Sequence, residues 1–289
     1  MRSLLPQIFP ASLLIAASVL LAQQNTSPNE TIWFVLSEGH SGLEIDPLGK
    51  VVGSKIVGVP LDCDPENAEY KKFEAAYLRP GETYSVRFGG APAGIIGLRG
   101  PDPKYGNEAV EYDGVAHIHG LLMALATNAE LPSSESSSRQ PPSAEERKFA
   151  LQFANESFAA KGFGEQLRQK ITIENLTHTT LGPGRLPVLV GSIALPLNDD
   201  SGLIHGFFFI ASETDGKPVP EFQWMHISQA EAGSELLRLV DQADLFGDGQ
   251  EELVAVLTYY ENYRYRVYRR LRDKPQWEQI FETEVLGCL

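Results

Sequence analysis

The feature that most restricts what this chain can fold into is an internal repeat in its C-terminal half. The stretch TTLGPGRLPVLVG, Thr179 to Gly191, aligns without gaps on DLFGDGQEELVAV, Asp244 to Val256. Gly182 matches Gly247, Gly184 matches Gly249, Leu181 matches Phe246, and the apolar run from Val188 matches the run from Leu253. Each copy follows a strand-like segment, KITIENL or LLRLVDQ, and precedes a strongly aromatic one, HGFFFIAS or YRYRVYRR. A strand–turn–strand unit built twice must bury twice a face that one copy cannot bury alone.

The rest of the chain reads in the same β-rich manner. TIWFVL, KVVGSKIVGV, TYSVRF and GIIGL are short β-branched or aromatic runs separated by glycine, proline and acidic turn residues, which predicts a β-rich domain over 31–130. One helix interrupts it, with Asp64 as cap, Pro65 at the first helical position, and Phe73, Ala76 and Tyr77 on a shared face. From Leu131 the run LPSSESSSRQPPS has almost no apolar surface to bury, so 131–142 reads as a flexible linker or long surface loop. Ser143 with Glu146 three residues on forms a capping box, Phe149, Phe153 and Phe158 give the following helix an apolar side, and Gly162 and Gly164 end it. The last domain, 143–289, is then this helix plus the two repeats. The expected fold class is mainly β with one or two helices, an α+β chain of antiparallel meanders.

Within the second copy, acidic residues fall at spacings that carry chemistry. A calcium loop needs several oxygens converging from one short turn, with a glycine where the chain bends sharply. Counting from Asp244, carboxylates stand at the first, fifth and ninth positions as Asp244, Asp248 and Glu252, with Gly249 at the sixth. The carbonyl of Gln250 would serve the seventh. The third position is Phe246, which offers no side-chain oxygen, and the twelfth is Ala255, so the loop is not an EF-hand. Gly247, Asp248 and Gly249 are also standard residues of a metal-free tight turn. Both readings stay open.

These residues resemble the calcium-loop segment of FG-GAP repeats, the integrin-type or VCBS-like units of β-propellers and of many exported bacterial proteins. The family loop is D-x-[DN]-G-D-G-x-x-[DE] followed by a buried strand. The resemblance spans about Leu236 to Trp277 in the second copy. It reaches the first copy only as a skeleton, with Thr179, Pro183 and Pro187 where the ligands would be, and it does not touch 31–130. It implies strand–turn–strand repeats in a partial or divergent propeller, since two units are too few to close a ring of about four to eight blades. It also implies a structural or binding role, with calcium as an optional brace of the loop held by Asp244, Asp248, Gln250 and Glu252.

The N-terminus sets the expected location. MRSLLPQIFPASLLIAASVLLAQQ has one basic residue, an apolar run from Ala11 to Leu21 and Ala22 as a cleavage point, which reads as a signal peptide over 1–22 followed by a polar tail over 23–30. A secreted or periplasmic protein with no membrane span after cleavage is expected. In an oxidising compartment the two cysteines, Cys63 and Cys288, read as one disulfide, which in the chain-entropy model stabilises by about 5 kcal/mol. A formal net charge of -14 argues against nucleic-acid or anionic-membrane partners.

The remaining candidates are weaker. His117 and His119 in HIH would project to one side of a strand, a spacing compatible with a metal. EGHSGL around Ser41 lacks the last glycine of a nucleophile elbow, and FGGAPAG, Phe88 to Gly94, reads as a hairpin turn. TYYENYRYRVYRRL reads either as a tyrosine–arginine binding face or as a hairpin turning near Glu261 and Asn262, one face packed and the other solvated. N-x-[ST] sequons occur at Asn25, Asn29, Asn155 and Asn175. The function expected is an exported non-catalytic binding or structural module whose partner is a protein or carbohydrate. The alternative is an exported hydrolase using a carboxylate or histidine site that no motif marks.

Overall fold

The computed structural model describes residues 30–39, 42–60, 67–101, 108–114, 122–130, 137–182, 184, 186–197, 202–229, 233–260 and 262–286. The signal segment, Cys63, Cys288, Asp64, Pro65, His117 and His119 lie outside the described residues. The architecture is mainly antiparallel β with three helices among the described residues, in the class expected from the strand patterning.

The N-terminal half contributes β1 (Thr31–Gly39), β2 (Gly42–Val52), β3 (Lys55–Val57), α1 (Ala68–Tyr77), β4 (Thr83–Phe88), β5 (Ala91–Pro101), β6 (Glu108–Gly114) and β7 (Ala124–Thr127). The strands pair in the order β1-β7-β4-β5-β6-β2-β3, and β1 also pairs with β2, so the sheet curls back on itself. Strand alternation divides β1 between two cores. Ile32, Phe34 and Leu36 face inward onto Ile45, Tyr84, Val86, Ile96 and the α1 residue Phe73. Trp33 and Val35 face outward with Leu48, Val51 and Leu125, towards the C-terminal half. Helix α1 starts later than its sequence suggests. Its cap is Asn67, whose side chain accepts from the Glu69 and Tyr70 amides at 2.8 and 3.3 Å.

The C-terminal half begins with α2 (Ala144–Ala160) and α3 (Glu165–Arg168). Helix α2 has the expected capping box, with Ser143 Oγ accepting from Glu146 N at 3.2 Å and Glu146 Oε2 accepting from Ser143 N at 2.6 Å. Two four-stranded meanders follow, β8 (Thr172–Leu181), β9 (Leu186–Pro196), β10 (Ile204–Thr214) and β11 (Lys217–His226), then β12 (Leu236–Ala243), β13 (Glu252–Thr258), β14 (Tyr263–Arg270) and β15 (Trp277–Glu282). Each copy of the repeat is thus the turn between the first two strands of a meander.

The meanders stack face to face in a propeller-like arrangement, and this explains their long apolar runs. Val188 and Val190 of β9 pack with Phe208, Leu237, Leu253, Ala255 and Tyr268 between the two meanders. Leu189, Ile193 and Leu195 on the other side of β9 pack with Phe207, Phe209 and the α2 residues Ala150, Ala154 and Phe158. Val254 and Val256 of β13 face the N-terminal sheet instead. A strand covered on both sides keeps no polar face, so both central strands read as continuous hydrophobic runs. Gly191 belongs to this packing: a Cβ there would meet the Phe209 ring at 2.2 Å.

Candidate functional site

Both repeat turns end at one place in the fold, where the second meander meets the first and the N-terminal sheet. The second turn leaves β12 at Asp244 and returns in β13 at Glu252. Leu245 fixes its start: its side chain is buried beside Trp33, and its carbonyl accepts from Trp33 Nε1 at 3.2 Å. Gly247 and Gly249 then carry φ of 71° and 82°, values that only glycine adopts without strain, so the bend needs both.

The candidate ligands each have a different task. Asp244 folds the turn, its Oδ1 accepting from Asp248 N at 3.0 Å and its Oδ2 from Gly249 N at 2.7 Å. Asp248 accepts from Gln250 N at 3.2 Å through Oδ1 and meets Arg269 and Arg272 through Oδ2, the latter at 3.0 Å. Burial alone would raise the Asp248 carboxyl, but Arg269, the Gln250 amide and Arg272 carry it below the usual range. The side chain of Gln250 is held by Arg270 O, to which its Nε2 donates at 2.5 Å. Glu252 is fully buried, accepts from Leu245 N at 2.9 Å and lies 3.3 Å from Arg269 Nε. Burial pushes its carboxyl up to about 8, against the Leu245 amide and Arg269.

As arranged, this donor set does not fit a calcium ion. The Asp248 carboxylate and the Glu252 carboxyl group face the Arg269 guanidinium, and Asp244 is occupied by backbone amides. Among the described residues, no group of three or more histidines, cysteines, aspartates or glutamates converges to hold a metal. Phe246, the residue that breaks the ligand pattern, has its ring centroid 5.0 Å from the Arg269 guanidinium carbon. The apolar third position therefore seats an arginine.

The first turn is built differently. In the β8–β9 ladder Val188 stands opposite Thr179, whereas in the β12–β13 ladder Leu253 stands opposite Gln242. Anchored on their apolar strands, the two copies agree from the turn onward, and the second turn holds two more residues than the first. Thr179 is consequently the counterpart of Gln242, and the two side chains bond directly, Thr179 Oγ1 to Gln242 Oε1 at 2.5 Å. Gly182 N donates to Glu251 Oε2 of the neighbouring turn at 2.7 Å. A cavity of about 210 Å³ lies between the turns, bordered by Gly182, Leu186, Gly249, Arg272 and Trp277 among others. That is smaller than the roughly 300–1,000 Å³ of most small-molecule sites.

Around this point a buried polar network joins four segments. Gln242 Nε2 donates to Thr180 O at 2.9 Å and Ser138 Oγ at 3.1 Å, and Ser138 N donates to Gly89 O at 3.1 Å. Asp241, fully buried, accepts from Gly89 N through both oxygens at 2.9 and 3.1 Å and faces Arg139 Nε at 3.5 Å. Burial pushes Asp241 up to about 6, against Arg139 and the Gly89 amide. Ser138 and Arg139 belong to the serine- and proline-rich stretch, whose described part bonds to the N-terminal sheet and to both meanders.

The tyrosine–arginine strand β14 is engaged on both faces, and its second face is not the solvated one that alternation suggested. Tyr263 and Tyr265 donate to Asp46 Oδ2 at 2.9 and 2.8 Å across the seam with β2. Arg266 pairs with Glu282 at 2.5 Å and lies 5.8 Å from the Trp224 ring. Arg270 grips Glu221 of β11 with two 2.8 Å bonds, and Trp277 Nε1 donates to the same carboxylate at 3.1 Å. Of the scattered histidines, His178 meets Glu146 at 2.5 Å, His226 meets Glu235 at 3.3 Å, and His205 accepts from Ser228 N at 3.0 Å.

The partners of the β14 arginines were not legible in the sequence, because each lies on another strand or turn, from 16 to 49 residues away. The one available signal was the cluster of Arg269, Arg270 and Arg272 downstream of an acidic turn. Among the described residues no helix is long and apolar enough to cross a membrane. Compared with family models, curated proteins and solved structures, the chain matches none.

Proposed function

We propose that this chain is an exported, non-catalytic binding or structural module, whose C-terminal half is a pair of divergent FG-GAP-like units on a shared seam. The observation that carries this reading is the use made of its charged side chains. Arg266, Arg269 and Arg270 each pair with a carboxylate from another strand or turn, and Arg270 joins one meander to the next. Asp241 and Glu252, the carboxyl groups pushed furthest up, owe their shifts to complete burial rather than to an open cleft. Raised values of this origin mark structural carboxyls as readily as catalytic ones.

The secretory reading rests on the basic and apolar N-terminal pattern, and the partner class is a protein or carbohydrate. Three measurements test the proposal. Amino-terminal sequencing of the protein recovered from the exported fraction should begin after Ala22, whereas an intact Met1 in the soluble cell interior would contradict export. The purified protein should turn over none of a panel of glycosides, esters and peptides, while glycan and peptide arrays should give saturable binding. Turnover that is lost on substituting a carboxylate or histidine would establish the hydrolase instead.

A further inference from the structure

We propose that the Arg269 guanidinium is the resident cation of the Asp244–Glu252 turn, an arginine built into β14 that takes over the bracing role a metal ion would otherwise have. Three features converge on it. The guanidinium reaches the Asp248 carboxylate through Nη2 and lies 3.3 Å from the Glu252 carboxyl oxygen Oε1 through Nε, so one group spans acidic side chains from both ends of the bend. It lies over the Phe246 ring, whose electron-rich face attracts a cation. The Arg269 side chain is 19% exposed and that of Glu252 is 0% exposed, so the charge is largely withdrawn from water and well able to hold a fixed geometry.

The third position connects these features. A carboxylate at 246 would supply a ligand to a metal, but it would remove the aromatic surface on which the guanidinium rests. Phe246 and Arg269 therefore act as a pair, and the loop closes with a charge attached to the chain. The turn should hold its shape in calcium-poor and chelating surroundings, and the carboxylates should respond to a divalent cation only once the guanidinium is removed. Arg272, which reaches Asp248 from a largely exposed position, is an accessory to this arrangement. The inference is independent of what the module binds, and its failure would leave the proposed function standing.

The test uses the full mature chain, with melting followed in chelator, in millimolar calcium chloride and in millimolar magnesium chloride. The wild-type protein should melt at the same temperature in all three. Arg269→Met keeps much of the stem over Phe246 but removes the charge, and should lower the melting temperature in chelator by about 4–8 °C. Calcium should restore at least half of that loss, and adding Asp248→Asn to the variant should abolish the recovery. Arg269→Lys, which keeps a positive charge, should stay indifferent to calcium. If Arg269→Met does not fold in chelator, refolding from urea with calcium should recover it. A wild-type melting temperature that rises in calcium would overturn the proposal. So would an Arg269→Met protein that is as stable as wild type, or one that is destabilised but deaf to calcium.

Discussion

Between Thr180 and Pro187 the first repeat turns within six residues and closes on Glu251 of its neighbour, whereas between Ala243 and Glu252 the second takes eight and closes on itself. The strands on either side are alike: both turns open onto a central strand buried on two faces. The difference therefore lies in how backbone groups at the bend are satisfied. The short turn lends its Gly182 amide to a carboxylate next door. The long turn brings Asp244 to accept two of its own amides, and that negative charge, with Asp248, calls for the arginine.

The largest effect is expected at the core that the two meanders share. Phe208 of β10 is fully buried and lies 6.0 Å from the Tyr268 ring of β14, so Phe208→Ala should cost about 3–5 kcal/mol, measured by urea denaturation. A cost below about 1 kcal/mol would mean that the meanders do not depend on one common core.

The second test separates the turns by pH. Glu252 in the folded chain keeps its proton up to about 8, while the unfolded chain releases it near 4.5. The folded state thus binds more protons between those values, and stability should fall as pH rises through that window. Asp241 adds a decline in the same direction up to about 6. Glu252→Gln should flatten the slope of the denaturation midpoint between pH 6.5 and pH 8.5. An unchanged slope would remove Glu252 as its source.

Smaller effects distinguish the two bends. Glu251→Ala removes the acceptor of the Gly182 amide, which should cost about 1–2 kcal/mol and speed exchange at Gly182 more than at Gly249. Gly182→Ala and Gly247→Ala each force a side chain into positive φ, at 64° and 71°, and each should cost about 1 kcal/mol. Equal costs would support a shared bend geometry; a tolerated alanine at either position would show that its backbone relaxes.

What the sequence makes legible follows from range. The α2 capping box, the helix's phenylalanine face and the β13–β14 hairpin at Asn262 are local, and local patterns predict them correctly. The repeat is legible because it recurs. Its register is not, since two additional residues in one turn leave the glycine pattern intact while making Thr179 the counterpart of Gln242 rather than of Asp244. The sequence also shows three carboxylates at suggestive spacing but not the guanidinium beside them, which arrives from the next strand. Phe246 was readable as a missing ligand, and only the packing shows it as the seat of Arg269.

The most direct measurement is amide hydrogen exchange at Gly182 and Gly249 in the mature wild-type protein, with calcium and with chelator. An internally braced second turn predicts that protection at Gly249, which donates to Asp244, is the same in both conditions, as it is at Gly182. Protection at Gly249 that rises with calcium while Gly182 stays unchanged would contradict it, and would return the turn to metal.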